Sequence, residues 1–463
     1  MTHDDDVRPH VSGEALSDPP LVAATVAPDS PAARSGAAGP DPLFAEFGHG
    51  TLPEWALVRQ RMDAPEIADA RSAVREALEP VLGDVHPGTR VCVAAGSRGI
   101  DRIDEVVRAT VERVRETGAA VFIVPAMGSH GGATPEGQLE VLASYGITPG
   151  TMGCEIRSSM ETVELGEVRP GVPVFVDRHA YEEADLIIPV NRVKPHTDFT
   201  GSIESGLAKM IAIGLGKQRG ADTFHRQGFA VFHELIPEVA AFSLAHAPIP
   251  FGLALVENGH ARLARIEAVP AERILARERE LLVEARAAMA RIPLAEIDVL
   301  VLDAIGKDIS GLGMDSNVVG RYYAGPTGRP PAIQRIVVRD LTPETEGNAV
   351  GIGMADVVLR RAVERIDRHK TYMNCITAKT LEGARIPLTV ETDRDALVVA
   401  IAACLHITPE EARIVRARDT KHLELLYASA PLLPELIAAG CELVEPLHPI
   451  TFDEQGMFAD GAP

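Results

Sequence analysis

The sequence has no pair of cysteines in Cys-x-x-Cys spacing. Its five cysteines, Cys92, Cys154, Cys375, Cys404 and Cys441, are odd in number and widely scattered, which argues against both a disulfide framework and an iron–sulfur cluster. A reducing, cytoplasmic setting fits that usage. Positive charge is also short. Lys plus Arg number 45 against 66 for Asp plus Glu, a net charge of −21, so the chain repels nucleic acid and anionic bilayers and its expected partners are small molecules. The opening MTHDDDVRPH has neither a basic nor an apolar stretch, and the most apolar later segment, Pro237 to Val256, is interrupted by Glu238, His246 and further prolines. No signal peptide and no spanning helix are expected. Neither G-x-G-x-x-G nor a Walker A pattern occurs, so an ordinary NAD or ATP site has no support.

What is present is the balance of a folded protein, 46% apolar and 24% charged over 463 residues, a length that favours more than one domain. Residues 1–42, rich in Asp, Pro, Ala, Ser and Gly, cannot bury enough surface to offset the entropy of ordering and read as a tail. After them RVCVAAGS is an apolar run. Helical periodicity follows at Ile103, Val106, Val107, Val111 and Val114, closed by Gly118. AAVFIVPAMGSHGG gives a second strand, with Thr134 as N-cap and Pro135 in the first turn of the next helix. DLIIPVNRV gives a third. Near-continuous apolar strands alternating with helices imply parallel sheets covered on both faces. A fresh alternation starts at EIDVLVLDAIG. The expected architecture is therefore two α/β domains with an interdomain cleft: residues 43–290, then 291–445, followed by a polar tail over 446–463.

Ligands of such sheets bind beyond the carboxyl ends of the strands. The three loops there carry Arg98 in GSRG, His130 in MGSHGG and His196 in VKPHTDF. A guanidinium can hold a substrate carboxylate bidentately, and two imidazoles suit a general acid and base. Ser97, Gly201 and Gly206 lie where backbone N–H groups can approach a phosphate, although the glycines also serve as turns. Lys209 sits among Leu207, Met210, Ile211 and Ile213. Desolvation there favours a nucleophile or a covalent tether, and a snorkelling lysine is the structural alternative. His225, sixteen residues on, is a lone metal ligand candidate that needs ligands from elsewhere.

The ordered set GSRG, MGSHGGATPEG, VKPHTDFTGSIESGLAKMIAIGLG and ADTFH resembles the nickel-pincer nucleotide-dependent lactate racemase family, from about Leu43 to about Gly440. The resemblance implies a racemase or 2-epimerase of a 2-hydroxy acid that moves a hydride reversibly to a pyridinium-derived, nickel-containing nucleotide. It assigns His130 and His196 as the two bases, Lys209 as the tether and His225 as the nickel ligand the cofactor lacks. Cofactor biosynthesis enzymes are implied partners. Two departures stand out. Ala95 occupies a position that is commonly acidic, and Lys307, Asp308 and Ile309 are followed by SGLGMDSNVVGR rather than by the family's Tyr-Gln and Lys. Lys307, Asn317 and Arg321 then become the substrate-binding candidates, for an acid larger or more hydroxylated than lactate. Two other readings stay open: a non-catalytic cofactor carrier or sensor, and a redox protein of an iron–sulfur-associated family that shares the VKPHT…GLAKMIAIGLG stretch.

Overall fold

The computed structural model describes residues 42–48, 50–62, 65–96, 99–323 and 331–463. The expected tail over 1–42 lies outside them apart from Pro42. Among the described residues the strands form a six-stranded sheet, a nine-stranded sheet and a two-stranded ribbon.

The six-stranded sheet runs in the order Glu155–Ile156, Ala120–Pro125, Arg90–Ala95, Leu186–Arg192, Phe251–Glu257, Leu263–Pro270, parallel except at its last pair. Its central strands explain why both faces are covered. In RVCVAA, Cys92 and Ala94 enter the core on one side while Val91, Val93 and Ala95 enter the core on the other, as the two-residue period of a strand requires. The helix Ile103–Arg115 packs the periodic residues read from the sequence against the second of these faces. Thr134 caps the helix Pro135–Ser144, its hydroxyl accepting the Gly137 N–H at 3.0 Å.

The nine-stranded sheet is built mostly from residues after Glu296. Its parallel portion runs Leu388–Val390, Val357–Leu359, Ala332–Val338, Glu296–Leu302, Ile414–Ala417. One member comes from far away in sequence. Glu54–Arg59 pairs antiparallel with Leu425–Ser429, Trp55 opposite Ser429, so residues 43–290 do not all stay with the first sheet. The pattern EWALVR, with its four central residues buried, suits a central strand of either sheet, which is why sequence order alone misplaces it. The segment after His448 is also packed. His448–Pro449 pairs with the same strand, Phe458 is buried, and Arg416 donates to the Asp460 carbonyl at 3.2 Å.

Candidate active site

Loops from the carboxyl ends of both sheets face one cleft of about 240 Å³, close to the lower end of the roughly 300–1,000 Å³ of an ordinary small-molecule pocket. His130, His196 and Lys209 line it from the side of the first sheet, and Lys307, Gly311 and Lys421 from the side of the second. Ser97 and Arg98 lie outside the described residues, while their neighbours Gly96 and Gly99 line the cleft. In a chain of net charge −21, the cleft gathers Lys194, Lys209, Lys307 and Lys421 alongside Glu257, Asp308 and Asp315, with Lys194 paired to Asp315 at 3.4 Å.

Each histidine is oriented by its own loop. His130 donates from Nδ1 to the Met127 carbonyl at 2.7 Å, which leaves the basic lone pair on Nε2 in the neutral ring. Its carbonyl and that of Gly128 accept from the side-chain amide of buried Gln138 at 3.4 and 2.9 Å. His196 is buried, its ring tilted against Phe199 with centroids 4.4 Å apart. Nε2 lies 2.5 Å from Lys209 Nζ. Lys209 ends a short turn, Leu207–Lys209, that passes into the π-helical Met210–Gly214, a geometry that recurs at functional sites.

His225 sits on the helix Lys217–Gln227 against Phe229 and Phe232, with ring centroids at 5.5 and 5.8 Å. Burial first, then the nearby Lys209 and Lys379, push its pKa down to about 4. Nδ1 is buried without a hydrogen-bond partner. A neutral imidazole with an unspent buried nitrogen is what a metal ligand requires. Among the described residues no three His, Cys, Asp or Glu side chains group as a metal site, so a metal at His225 needs its remaining ligands from a cofactor.

Some candidates take other roles. Arg321 is turned away from the cleft: it donates to the carbonyls of Met354 and Gln334 at 2.7 and 2.9 Å and pairs with Asp356 at 2.7 Å. Those acceptors saturate its guanidinium, so it is a structural tie rather than a substrate ligand. Asn317 reaches the site indirectly, donating to the His196 carbonyl at 3.1 Å while accepting from the Tyr322 hydroxyl at 3.0 Å. Lys307 stays at the cleft, its Nζ donating to the Gly311 carbonyl at 3.0 Å and to Asn374 at 3.2 Å. Gly201 is needed for packing, since a Cβ there would stand 2.8 Å from that of His233. At Gly206 the Cβ would stand 2.2 Å from Oε1 of Glu278, so any side chain would push that carboxyl out of place.

Two buried acids escaped the sequence reading. Glu204, 1% exposed, accepts the His196 N–H and the Gly201 N–H at 2.7 Å each, and Arg286 at 2.5 Å. It fixes the His196 loop. Glu204→Ala should lower the unfolding free energy by about 2–4 kcal/mol, because it strands three donors; a denaturant midpoint equal to wild type would refute that role. Glu278 accepts the Ala208 N–H at 2.8 Å beside Lys209. Burial pushes its carboxyl up to about 7. The native state thus keeps a proton that the unfolded chain, titrating near 4.5, has already released. That contribution is full below the unfolded value and is lost as pH rises toward 7. Relative to Glu278→Gln, wild type should lose thermal stability between pH 5 and 7.5; parallel melting profiles would contradict this. The only sequence signal for either residue was an acid set among apolar or small neighbours.

Residues 53–234 match the lactate racemase N-terminal domain family. Over that stretch the chain is similar to the lactate racemase N-terminal domain. Its fold also resembles that of the lactate racemase apoprotein from Thermoanaerobacterium thermosaccharolyticum, with a TM-score of 0.51 and 14% identity over 80% of this chain and 99% of that one. A search of curated proteins finds no match. The likeness is one of fold, which in this chain is mixed α/β with largely parallel sheets. Among the described residues no single helix is long and apolar enough to cross a membrane.

Proposed function

We propose that the protein is an isomerase that interconverts the two configurations at C2 of a 2-hydroxy acid larger than lactate. The reading rests on one observation: His130, His196 and Lys209 line a single cleft, with His225 beside it holding a buried, unpartnered nitrogen. A carrier or sensor would need the lysine and the metal ligand but not two further histidines.

Lys209 would tether a nickel-pincer nucleotide and His225 would complete its metal; when bound, that group supplies a reversible hydride acceptor for the C2 hydrogen. The chain's own residues handle protons and position. His130 takes the hydroxyl proton of one enantiomer at Nε2, since its Nδ1–H is committed to Met127. His196 serves the other enantiomer from a different strand end. Arg98 and Lys307 hold the carboxylate. Among the lining residues Gly311 adds no side-chain bulk while Ser310 and Lys421 add polar groups, which favours a hydroxylated acid of four to six carbons.

The test uses protein matured with the cofactor biosynthesis enzymes, single enantiomers of C3 to C6 2-hydroxy acids, and chiral chromatography. A longer acid should invert faster than lactate, and a C2-deuterated substrate should keep its label in the inverted product. Fastest turnover of lactate would remove the size assignment. Washout of deuterium into solvent would indicate direct proton abstraction, and no inversion of any acid would overturn the reading.

A further inference from the structure

Lys217 is fully buried, a place where a charged side chain is rare unless it is paired. Its Nζ lies 2.9 Å from Oδ2 of the equally buried Asp177, 3.2 Å from Oε1 of Gln138, and against the Pro125 carbonyl at the end of the strand Ala120–Pro125. Three acceptors match the three N–H groups of an ammonium. The backbone is committed too. Lys217 has a φ of +52°, a region that residues with a side chain seldom occupy and that persists only where the surroundings impose it.

The partners of Lys217 have directions. An ammonium only donates, so the atom of Gln138 that faces it is the carbonyl oxygen, and the side-chain NH2 points the other way. That group donates to the Gly128 and His130 carbonyls at 2.9 and 3.4 Å. The loop is pressed against the helix Pro135–Ser144 that carries Gln138: a Cβ at Gly137 would collide with the Gly131 carbonyl. A flipped amide would set its oxygen against both loop carbonyls. Held as it is, Gln138 keeps the turn in which the His130 N–H and Nδ1 both reach the Met127 carbonyl, at 3.2 and 2.7 Å.

We infer that Lys217 is a positioning residue for His130, acting through Gln138. A line of buried polar groups, Asp177, Lys217, Gln138 and the loop carbonyls, sets which way the imidazole faces. Its far end is fixed as well, since Oδ1 of Asp177 accepts the Ala180 N–H at 2.9 Å. Lys217 does its work from behind the cleft wall, in contact with the end of a strand and not with the cleft itself. The value of the orientation for catalysis rests on the proposed function; the orientation does not.

The test compares full-length wild type with Gln138→Met, which keeps the Lys217–Asp177 pair, and with the double variant Lys217→Met/Asp177→Asn, which leaves no unpaired buried charge. In histidine-selective 15N NMR of protein made without the cofactor biosynthesis enzymes, neutral wild-type His130 should show the Nδ1–H form alone, and both variants should show a mixture with the Nε2–H form. In matured protein the enantiomer that His130 serves should be oxidised about 10²-fold more slowly in a single turnover, the cost of a misplaced group, while the enantiomer that His196 serves keeps its rate. Nickel content should stay at the wild-type level in Gln138→Met, because Lys217 still anchors the helix Lys217–Gln227 that carries His225. General loosening of the fold would slow both enantiomers alike and would overturn the assignment, as would a wild-type His130 spectrum in Gln138→Met. If the double variant does not fold, 15N-lysine NMR decides the part of Lys217: its ammonium should exchange slowly with water in wild type and shift in Gln138→Met, and a rapidly exchanging signal overturns its role. A protein that inverts no acid but shows these His130 and Lys217 spectra would sink the proposed function alone.

Discussion

Protein in which His130 is replaced by glutamine should interconvert its 2-hydroxy acid about 10²- to 10⁴-fold more slowly than wild type, the usual contribution of a positioned general base. Glutamine keeps much of the side-chain bulk, and its amide N–H can still donate to the Met127 carbonyl. What it loses is the lone pair at the position of Nε2. Because His196 is proposed to serve the opposite enantiomer, the defect should be uneven in single-turnover experiments. One enantiomer should still be oxidised to the keto acid, and the other should not. His196→Gln should give the opposite bias. Equal single-turnover rates for both enantiomers in both variants would show that the histidines do not divide the work by face. Thermal unfolding supplies the control. The Gln138 bonds that shape the His130 loop use backbone carbonyls, so His130→Gln should melt close to wild type.

Lys209→Ala should abolish covalent attachment altogether. Intact mass of wild type matured with the cofactor enzymes should exceed that of the bare chain, with the increase mapping to the peptide that contains Lys209. The alanine variant should show none and have no measurable inversion. His225→Ala separates the two functions of the site. It should keep the adduct and lose most of the nickel, because it removes one ligand while the lysine is untouched. Active wild-type protein with an unmodified Lys209 peptide would defeat the tether, and full nickel retention in His225→Ala would defeat the ligand assignment.

Much of this site was legible in the sequence because its signals are local. A strand that ends in a glycine-rich loop places the next polar residue at a predictable edge, and that rule put His130 and His196 at the same cleft. Lys209 stood out because an ammonium among Leu207, Met210 and Ile211 needs a reason to be there. Partnerships across long separations were not legible. Glu204 meets Arg286, 82 residues away, and Glu278 meets Ala208 across 70; nothing near either acid announces its partner. Arg321 misled for the converse reason, since a polar residue in a loop looks available until the fold brings in the carbonyls that occupy it, from the strand Ala332–Val338 and the turn Ile352–Met354.

The strand Glu54–Arg59 has a consequence for how the molecule is made. It leaves the ribosome early, yet its neighbours arrive at the other end of the message: the adjoining Gln60 side chain bonds the Leu423 carbonyl, 363 residues downstream. At translation rates of roughly 5–20 residues per second, that strand waits roughly 20 to 70 seconds for its place. Throughout that interval Trp55 and Val58, fully buried in the finished protein, are in solvent on an unpaired edge, the condition under which nascent chains recruit holdase chaperones or stick to one another. A premature stop just before Leu425 therefore harms both termini at once, leaving the earliest strand to be synthesised without its partner.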